Sequence, residues 1–297
     1  MQIEMQRRPL FESELLQAVH VRARAASAAP GDVERQPANV VVFPLAGVFA
    51  KHDGPRRHSL ATPEHATLIA CHTPYRISLP GAVGDQCLTL RFSPDALARV
   101  APQVMHGECF DMTRFRPQVL LPARLALARS VLWRCCSSGT GDALRIEELG
   151  VGVLVSTLAL ARQRAHARES AIQRRRIARV VEAVSLDPTR KWTLASLAEL
   201  TGVSPWHLAH GFRALTGVSL YQYVLRARLS RTLPALLESD ADLASIALDA
   251  GFASHSHFTA RFHALFGWTP RALRRHANGR IARELSKIVT ARAERSV

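Results

Sequence analysis

The chain has 297 residues, with 39 Lys and Arg against 24 Asp and Glu, so its formal net charge is +15. This length predicts two domains, and a composition of 47% hydrophobic and 21% charged residues excludes a disordered or fibrous chain. The sequence contains no run of about 18 apolar residues, and Glu4, Arg7 and Arg8 interrupt the place where a signal peptide needs apolar residues. We therefore expect a cytoplasmic protein that has no membrane partner.

The character of the chain changes near residue 39. Residues 1–38 include a low-complexity stretch and are predicted to form a partly flexible arm. After them, short apolar runs separated by Gly, Pro and Asp are typical of β-strands and turns. These runs cover residues 40–43, 66–70, 75–79 and 86–92. We predict a small antiparallel sheet or barrel over residues 39–121.

Histidines cluster between residues 52 and 72, which raises the question of a metal site. The cluster comprises His52, His58, His65, Cys71 and His72. Its spacing lacks the close His pair and following acid of a typical barrel metal site, and the five cysteines contain no zinc-binding pair. We expect structural or surface histidines, no metal or other cofactor, and no catalytic residues, because no nucleophile or phosphate-binding motif is present.

Two amphipathic helices are predicted in residues 122–165. Apolar residues recur at helical spacing from Leu125 to Trp133 and again from Ile146 to Ala161. Such a pair either covers the sheet or pairs with a second copy of the chain, and the pattern favours neither. The polar, Arg-rich residues 166–172 are interpreted as a linker.

The basic charge is concentrated after residue 171. This segment carries 19 basic and 9 acidic residues, a net charge of 19 − 9 = +10, and residues 277–297 form a basic tail. Basic surfaces favour polyanionic partners because neutralising phosphates releases condensed counterions. Charge alone does not separate this interpretation from a solvated surface.

The C-terminal segment also contains an internal near-duplication. Residues 193–198 match residues 242–247 at an offset of 49, and Gly202 falls on Gly251 at the same offset. After one inserted residue the offset becomes 50, so that Phe212 meets Phe262. We predict a tandem structural repeat.

Each copy has the pattern of a helix-turn-helix unit. The predicted N-caps are Thr193 and Asp242 for the first helices, and Ser204 and Ser254 for the second helices. Gly202 and Gly251 stand where the chain must reverse, a position that favours positive φ. The second helices are predicted over residues 205–216 and 255–266. Between the copies, Pro234 predicts a kink or an early end of the connecting helix.

Residues 173–276 resemble the tandem helix-turn-helix DNA-binding domain of the AraC/XylS family of bacterial transcription regulators. The matching positions are Leu197, Ala198, Gly202, Ser204, Leu208, Phe212, Gly217, Tyr223, Arg228, Leu229, Ile246, Ala247, Gly251, Phe252, Ser256, His257, Phe258, Phe262, Gly267, Thr269 and Pro270. The resemblance implies a seven-helix domain whose two recognition helices enter successive major grooves of double-stranded DNA. It also implies a cupin-like antiparallel β domain at the N-terminal end, and hence an α+β protein.

The exposed faces of the two recognition helices are the candidate DNA contacts. The residues expected to read bases are Trp206, His207, Ala209, His210, His255, Ser256, Thr259 and Ala260. The residues expected to bind phosphates are Arg213, Arg226, Arg228 and Arg261. Two alternatives stay open: Trp206 packs between helices, or Arg228 pairs with Asp249 to hold the two units together. Ala260 stands where many family members have Arg, which leaves the register of that contact open.

The leading hypothesis is a ligand-responsive, sequence-specific transcription regulator, an activator that contacts RNA polymerase and binds a small-molecule effector in its β domain. A homodimer is one expectation for the helical pair. The first alternative is a nonspecific or architectural DNA-binding protein that uses the basic tail. The second is a cupin-type metalloenzyme fused to a DNA-binding module.

Overall fold

The computed structural model describes residues 3–54, 57–80, 84–102, 110–139, 142–162 and 171–295. The strands are β1 (Glu4–Glu12), β2 (Leu16–Arg24), β3 (Asn39–Ala46), β4 (Phe49–Gly54), β5 (Arg57–Ala61), β6 (His65–Ile69), β7 (Arg76–Ser78), β8 (Asp85–Phe92) and β9 (Gln118–Leu120). They form a six-stranded sheet in the order β1-β2-β8-β3-β6-β9 and a three-stranded sheet in the order β5-β4-β7. Every pairing between these strands is antiparallel.

The two faces of the six-stranded sheet bury different cores, because side chains alternate along each strand. Val41 and Leu90 lie on the outer face, in an apolar cluster that continues into the helices. Val42 and Cys87 lie on the inner face, in a second cluster with Ile77 of the three-stranded sheet. The N-terminal half is therefore a two-sheet β domain with helices over its outer face.

The prediction of a flexible arm over residues 1–38 is wrong for most of that segment. Strands β1 and β2 pair with each other, and β2 pairs with β8 from Leu16↔Phe92 to Ala23↔Asp85. The alternation in β2 is uneven, since polar residues such as His20 are buried in it. This weak alternation hid the two strands from pattern analysis.

The helices are α1 (Pro94–Val100), α2 (Ala123–Ser137), α3 (Ala143–Arg162), α4 (Ala171–Leu186), α5 (Leu194–Thr201), α6 (Pro205–Thr216), α7 (Leu220–Arg231), α8 (Leu233–Glu238), α9 (Leu243–Asp249), α10 (His255–Phe266), α11 (Pro270–His276) and α12 (Ala282–Arg295). The predicted helical pair corresponds to α2 and α3. Most of the predicted linker, residues 166–170, lies outside the described residues, and its end belongs to α4. In the part of the chain that the structure describes, no helix is long and apolar enough to span a membrane. The α+β class is confirmed.

Pro234 divides the connecting helix as the sequence predicts. Helix α7 ends at Arg231, and α8 begins at Leu233 with Pro234 in its first turn. There the missing N–H of proline has no helical partner to lose. The described residues 171–276 therefore contain eight helices, α4 to α11, where the resemblance implies seven.

The prediction of a basic tail over residues 277–297 is also wrong in its described part. After one turn of π-helix at residues 277–281, helix α12 packs against α3 and α2 of the N-terminal half. Leu285 and Val289 are buried in the shared core, and the Ser156 hydroxyl donates a 2.6 Å hydrogen bond to the Val289 carbonyl. The apolar face of α12 is consequently turned toward α3 rather than toward solvent.

The turns of the helix-turn-helix units have the predicted backbone geometry. Gly202 has φ +66° and Gly251 has φ +80°, both left-handed. A Cβ at Gly202 would meet no atom within 4 Å, whereas a Cβ at Gly251 would lie 3.3 Å from the Thr189 carbonyl oxygen. The two glycines therefore differ in steric room although they share a conformation.

This difference predicts unequal costs for alanine. We expect Gly202→Ala to lower the free energy of unfolding by about 1–2 kcal/mol because of its left-handed backbone alone. Gly251→Ala should cost more, since the Thr189 carbonyl must also move. Urea unfolding of the full chain measures both. Gly279→Ala is the control: its Cβ is unobstructed and its φ is not left-handed, so stability should be unchanged or slightly higher. An equal effect of all three variants would contradict this explanation.

Candidate nucleic-acid interface

Helix α6 begins and ends where the sequence predicts. The Ser204 side chain accepts a hydrogen bond from the backbone N–H of His207 at 3.3 Å, and Gly217 ends the helix in the left-handed conformation. Leu208 and Phe212 are buried on one side of the helix. The opposite side is thereby presented to solvent.

The exposed side of α6 carries an aromatic stack. Trp206 is 67% exposed, and its ring lies nearly parallel to that of His210, with centroids 5.3 Å apart and an interplanar angle of 11°. The Nδ1 atom of His207 lies 2.7 Å from the Ser204 hydroxyl, which orients the imidazole. Trp206 does not pack between helices, so the alternative that made it a packing residue is wrong. Ala209 is half-buried, and Arg213 is exposed one turn after His210.

Helix α10 repeats this design in the second unit. Phe258, Phe262 and Phe266 are fully buried, and Ser254 caps the helix by accepting from the backbone N–H of His257. The exposed or half-buried residues of its outer side are His255, Ser256, His257, Thr259, Ala260 and Arg261.

Two side-chain contacts organise that outer side. The Thr259 hydroxyl lies 3.4 Å from Nε2 of His255, and Nε of Arg261 donates to Nε2 of His257 at 3.3 Å. Each contact joins residues one helical turn apart, so both pairs lie on the solvent side of α10. Polar hydrogen-bonding groups are thus available along two turns of this helix.

The phosphate-binding role predicted for Arg226 is wrong. This residue is only 7% exposed, and its guanidinium forms an ion pair with Glu64 and donates to the carbonyl of Leu121. Both partners belong to the N-terminal half of the chain. A side chain held in this way cannot reach the DNA backbone without opening the contact between the two halves.

Glu64 lies close to a second buried guanidinium. Arg129 on α2 is 2% exposed and donates to the carbonyls of Pro44 at 2.6 Å and Pro63 at 2.9 Å. Burial lowers the pKa of Arg129 to about 10, and the negative charge of Glu64 opposes that shift. One carboxylate therefore partly balances two buried guanidiniums, Arg129 on α2 and Arg226 on α7.

Arg228 also has a structural role, but a different one from the predicted pair with Asp249. Its Nε donates to the Pro188 carbonyl at 2.7 Å, and its Nη2 donates to the Arg190 carbonyl at 2.8 Å. These bonds tie α7 to the loop between α4 and α5. The phosphate-binding role predicted for Arg228 is not supported, because these donors already have partners.

The sequence did not predict that Glu64 and Arg129 take part in a buried charge network. Neither residue belongs to a motif, and 162 positions separate Glu64 from Arg226 in the sequence, 226 − 64. Only the packing of α7 on the β domain brings them together. Patterns within a single element carry no information about such a contact.

The histidine cluster of residues 52–72 is spread over separate strands and turns. His52 lies 2.9 Å from the Ser78 hydroxyl and has the His58 ring 5.6 Å away, while His65 bonds to the Thr62 hydroxyl at 2.9 Å. His72 occupies a turn with φ +56°. Within the described residues, no group of three His, Cys, Asp or Glu side chains is arranged to hold a metal ion.

His65 is coupled electrically to the buried ion pair. Burial lowers its pKa to about 3, and the nearby positive charge of Arg226 acts in the same direction. The imidazole is therefore neutral at physiological pH. Protonating it would add a third positive charge beside Glu64.

The β domain contains an open cavity of about 810 Å³ beside β1. Its lining includes Met5, Arg7, Glu34 and Arg91. Glu34 accepts a 3.0 Å hydrogen bond from the Tyr75 hydroxyl, and burial raises the pKa of the Glu34 carboxyl. The cavity thus combines apolar surface with groups of both charges.

Comparison with known proteins agrees with this geometry. A family model described as a helix-turn-helix domain matches residues 197–276. An AraC-like transcription regulator from Streptomyces lividans is 31% identical over 176 residues, which cover 56% of this chain and 58% of the relative. The transcription factor PqrA of Proteus vulgaris is 37% identical over 79 residues, which cover 27% of this chain and 65% of PqrA. The chain therefore spans less than two thirds of the length of these relatives.

A solved structure of an apo ToxT variant from Vibrio cholerae aligns with 89% of this chain and 98% of its own, at 13% identity and a TM-score of 0.39.

The fold and the paired recognition helices define a protein with a tandem helix-turn-helix domain. Through this domain the chain is similar to AraC-like transcription regulators. The sequence-based identification is confirmed.

The shared carboxylate predicts unequal effects of removing its partners. Glu64→Gln leaves two uncompensated buried guanidiniums and should cost about 3–5 kcal/mol of unfolding free energy. Arg226→Met should cost less, because Arg129 still balances Glu64. Urea unfolding of the two variants and of the double variant Glu64→Gln/Arg226→Met measures the coupling. A loss below about 1 kcal/mol for Glu64→Gln, as for an exposed pair, would contradict a buried charge network.

The pKa of His65 predicts a pH dependence of stability. Below about pH 6.5 the unfolded chain binds a proton at His65 that the folded chain does not, down to its folded pKa of about 3. The free energy of unfolding should therefore fall as pH decreases through this window, and His65→Gln should weaken that dependence. Burial raises the pKa of Asp85 from 3.8 to about 6, which acts in the opposite direction but equally in both proteins. Parallel pH profiles would exclude the assigned role of His65.

Proposed function

We propose that this protein is a sequence-specific DNA-binding transcription regulator. The observation that carries the proposal is the repeated pair of capped recognition helices, α6 and α10, which bury their apolar sides and expose aromatic, imidazole and hydroxyl groups. Such groups hydrogen-bond or contact base edges in the major groove of double-stranded DNA. Two helices of this kind can read two segments about one helical turn apart.

The exposed residues of each helix fall into two groups, one that would read bases and one that would bind phosphates. The reader set on α6 is Trp206, His207, Ala209 and His210, and the reader set on α10 is His255, Ser256, Thr259 and Ala260. Arg213 and Arg261 are exposed and remain candidates for phosphate contacts. Because Arg261 also bonds to His257, it can orient the imidazole ring of His257 while it contacts a phosphate of the DNA backbone.

The remaining parts of the proposal concern regulation. We infer that the protein works inside a bacterial cell as an activator that contacts RNA polymerase, in line with the name of the AarP activator of Providencia stuartii, which is 31% identical over 86 residues. A small-molecule effector would occupy the cavity of about 810 Å³ in the β domain. The sequence left open whether α2 and α3 cover the sheet or pair with a second copy of the chain, and α12 of the same chain packs against both helices.

The nonspecific DNA-binding alternative loses its main support. It depended on a free basic tail, and the described part of that tail is helix α12 with Leu285 and Val289 buried against the N-terminal half. The metalloenzyme alternative gains no support from the described histidines, whose nearest partners are hydroxyls and another ring.

Selection from a random duplex pool tests the proposal directly. The full chain is incubated with the pool at physiological salt, and the retained DNA is sequenced. We expect an enriched motif with two blocks about 10 bp apart, since successive major grooves on one face are separated by one helical turn. If the retained DNA contains no enriched motif, the proposal of sequence-specific recognition is wrong.

Substitutions then separate reading from anchoring. Trp206→Ala and His255→Ala should reduce the preference for the selected duplex over a shuffled one, because they remove groups that face the bases. Arg213→Ala should weaken binding to both duplexes by a similar factor. Affinities are measured by fluorescence anisotropy. Equal losses on both duplexes for all three variants would overturn the assignment of readers and anchors.

A further inference from the structure

The burial of Arg226 and the bonds of Arg228 remove the two phosphate contacts that the sequence predicts on α7. Phosphate contacts make up half or more of the hydrogen bonds in typical protein–DNA complexes. Cationic groups beside α10 should therefore be found elsewhere in the domain.

Such groups lie in a cleft of about 580 Å³ beside the first turn of α10. Three arginines of α11 line it together with His255 and Asp242: Arg271, Arg274 and Arg275. Arg271 and Arg275 are exposed, and Arg274 is half-buried. The cleft shares His255 with the proposed base-reading surface, so a group bound in it would lie next to the groove that α10 enters.

The Arg274 guanidinium is only partly paired within the described part of the chain. Its Nε and Nη2 atoms are shielded from solvent and have no hydrogen-bond partner among the described residues. Leaving buried N–H groups of a cation unsatisfied is costly. A phosphate oxygen in the cleft can accept from these N–H groups only after the Arg274 side chain turns outward, whereas Arg271 and Arg275 are already exposed.

The acidic residue in the cleft does not neutralise the arginines. The Asp242 carboxylate accepts hydrogen bonds from the backbone N–H groups of Ala244 at 2.9 Å and Ser245 at 3.1 Å, which caps α9. No salt bridge joins Asp242 to α11 in the part of the chain that the structure describes. The cleft therefore contains three guanidiniums and one carboxylate, and that carboxylate is already hydrogen-bonded to the first turn of α9.

A smaller cleft occupies a related place in the first unit. It measures about 290 Å³ and lies between α4 and the first turn of α6, with Arg176, Ser204 and His207 in its lining. Both recognition helices thus have a cleft with at least one guanidinium beside their first turn. The α11 cleft has the stronger positive charge.

We propose that the α11 cleft binds the sugar-phosphate backbone of duplex DNA through Arg271, Arg274 and Arg275. The inference depends on the proposed function, because α10 must enter a major groove for the cleft to meet the adjoining backbone. The guanidinium fork suits phosphodiester oxygens, which accept two parallel hydrogen bonds. These contacts fix the position of α10 and carry no sequence information themselves.

The test measures the salt dependence of DNA binding by the full chain. The probes are a duplex recovered from the random pool by the wild-type chain and a shuffled duplex of the same composition. Arg271→Gln/Arg275→Gln should reduce the slope of log K against log salt by about 0.9 for each phosphate that the variant no longer neutralises, hence by nearly 2. Affinity for both duplexes should fall by the same factor. Arg274→Gln should have a further effect of the same kind.

Arg283→Gln/Lys287→Gln is the matched control. Both residues are exposed on α12, and the double variant removes the same two charges from the chain. Thermal unfolding of each variant verifies that the fold is intact. A slope that stays at the wild-type value in the α11 double variant would overturn the inference. An equal reduction in the α12 control would also overturn it, because net charge rather than the cleft would then be responsible.

The two proposals fail in distinguishable ways. If the pool yields no motif, sequence-specific regulation fails, while the salt slope on the shuffled duplex still tests the cleft. If the α11 double variant keeps its slope but loses preference for the selected duplex, its arginines read bases, and the phosphate assignment fails while sequence-specific binding stands.

Discussion

The buried carboxylate of Glu64 constrains the rest of the structure. It forms an ion pair with Arg226 of α7, and its negative charge also acts on the buried Arg129 of α2. A buried charge without a partner is costly, so α7 can pack here only with its guanidinium facing Glu64. Because α7 connects the two helix-turn-helix units, this contact fixes the position of α7, against which both units are arranged.

Apolar packing on either side of this ion pair holds both units against the N-terminal half. The first unit shares a cluster with Val48, which directly precedes β4, and with Leu60 of β5. The second unit and α12 share the cluster that contains α2, α3 and the outer face of the sheet. Buried ion pairs contribute little net stability compared with apolar contacts, but a packing that leaves one of the charges buried without its partner is strongly disfavoured. The apolar clusters therefore supply affinity between the halves, while Glu64 specifies their orientation.

Local signals in the sequence predicted the parts of the site that local chemistry determines. The N-caps Thr193, Asp242, Ser204 and Ser254 and the left-handed Gly202 and Gly251 lie where the repeat places them. Pro234 ends the connecting helix for a reason contained in its own ring. The environment of Arg226 depends instead on Glu64 and Leu121, far away in the chain. Exposed and buried arginines look alike in sequence, since both types extend from helices with mixed polar and apolar faces.

The burial of arginines by residues that are distant in the sequence also explains why the proposed phosphate contacts lie on α11 and not, as the sequence predicts, on α7. On α7, Arg226 pairs with Glu64 of the N-terminal half, and Arg228 bonds to the loop between α4 and α5. Both guanidiniums therefore already have protein partners. Within the described residues, Arg271 and Arg275 of α11 have no hydrogen bond or ion pair of this kind, and both remain exposed beside His255.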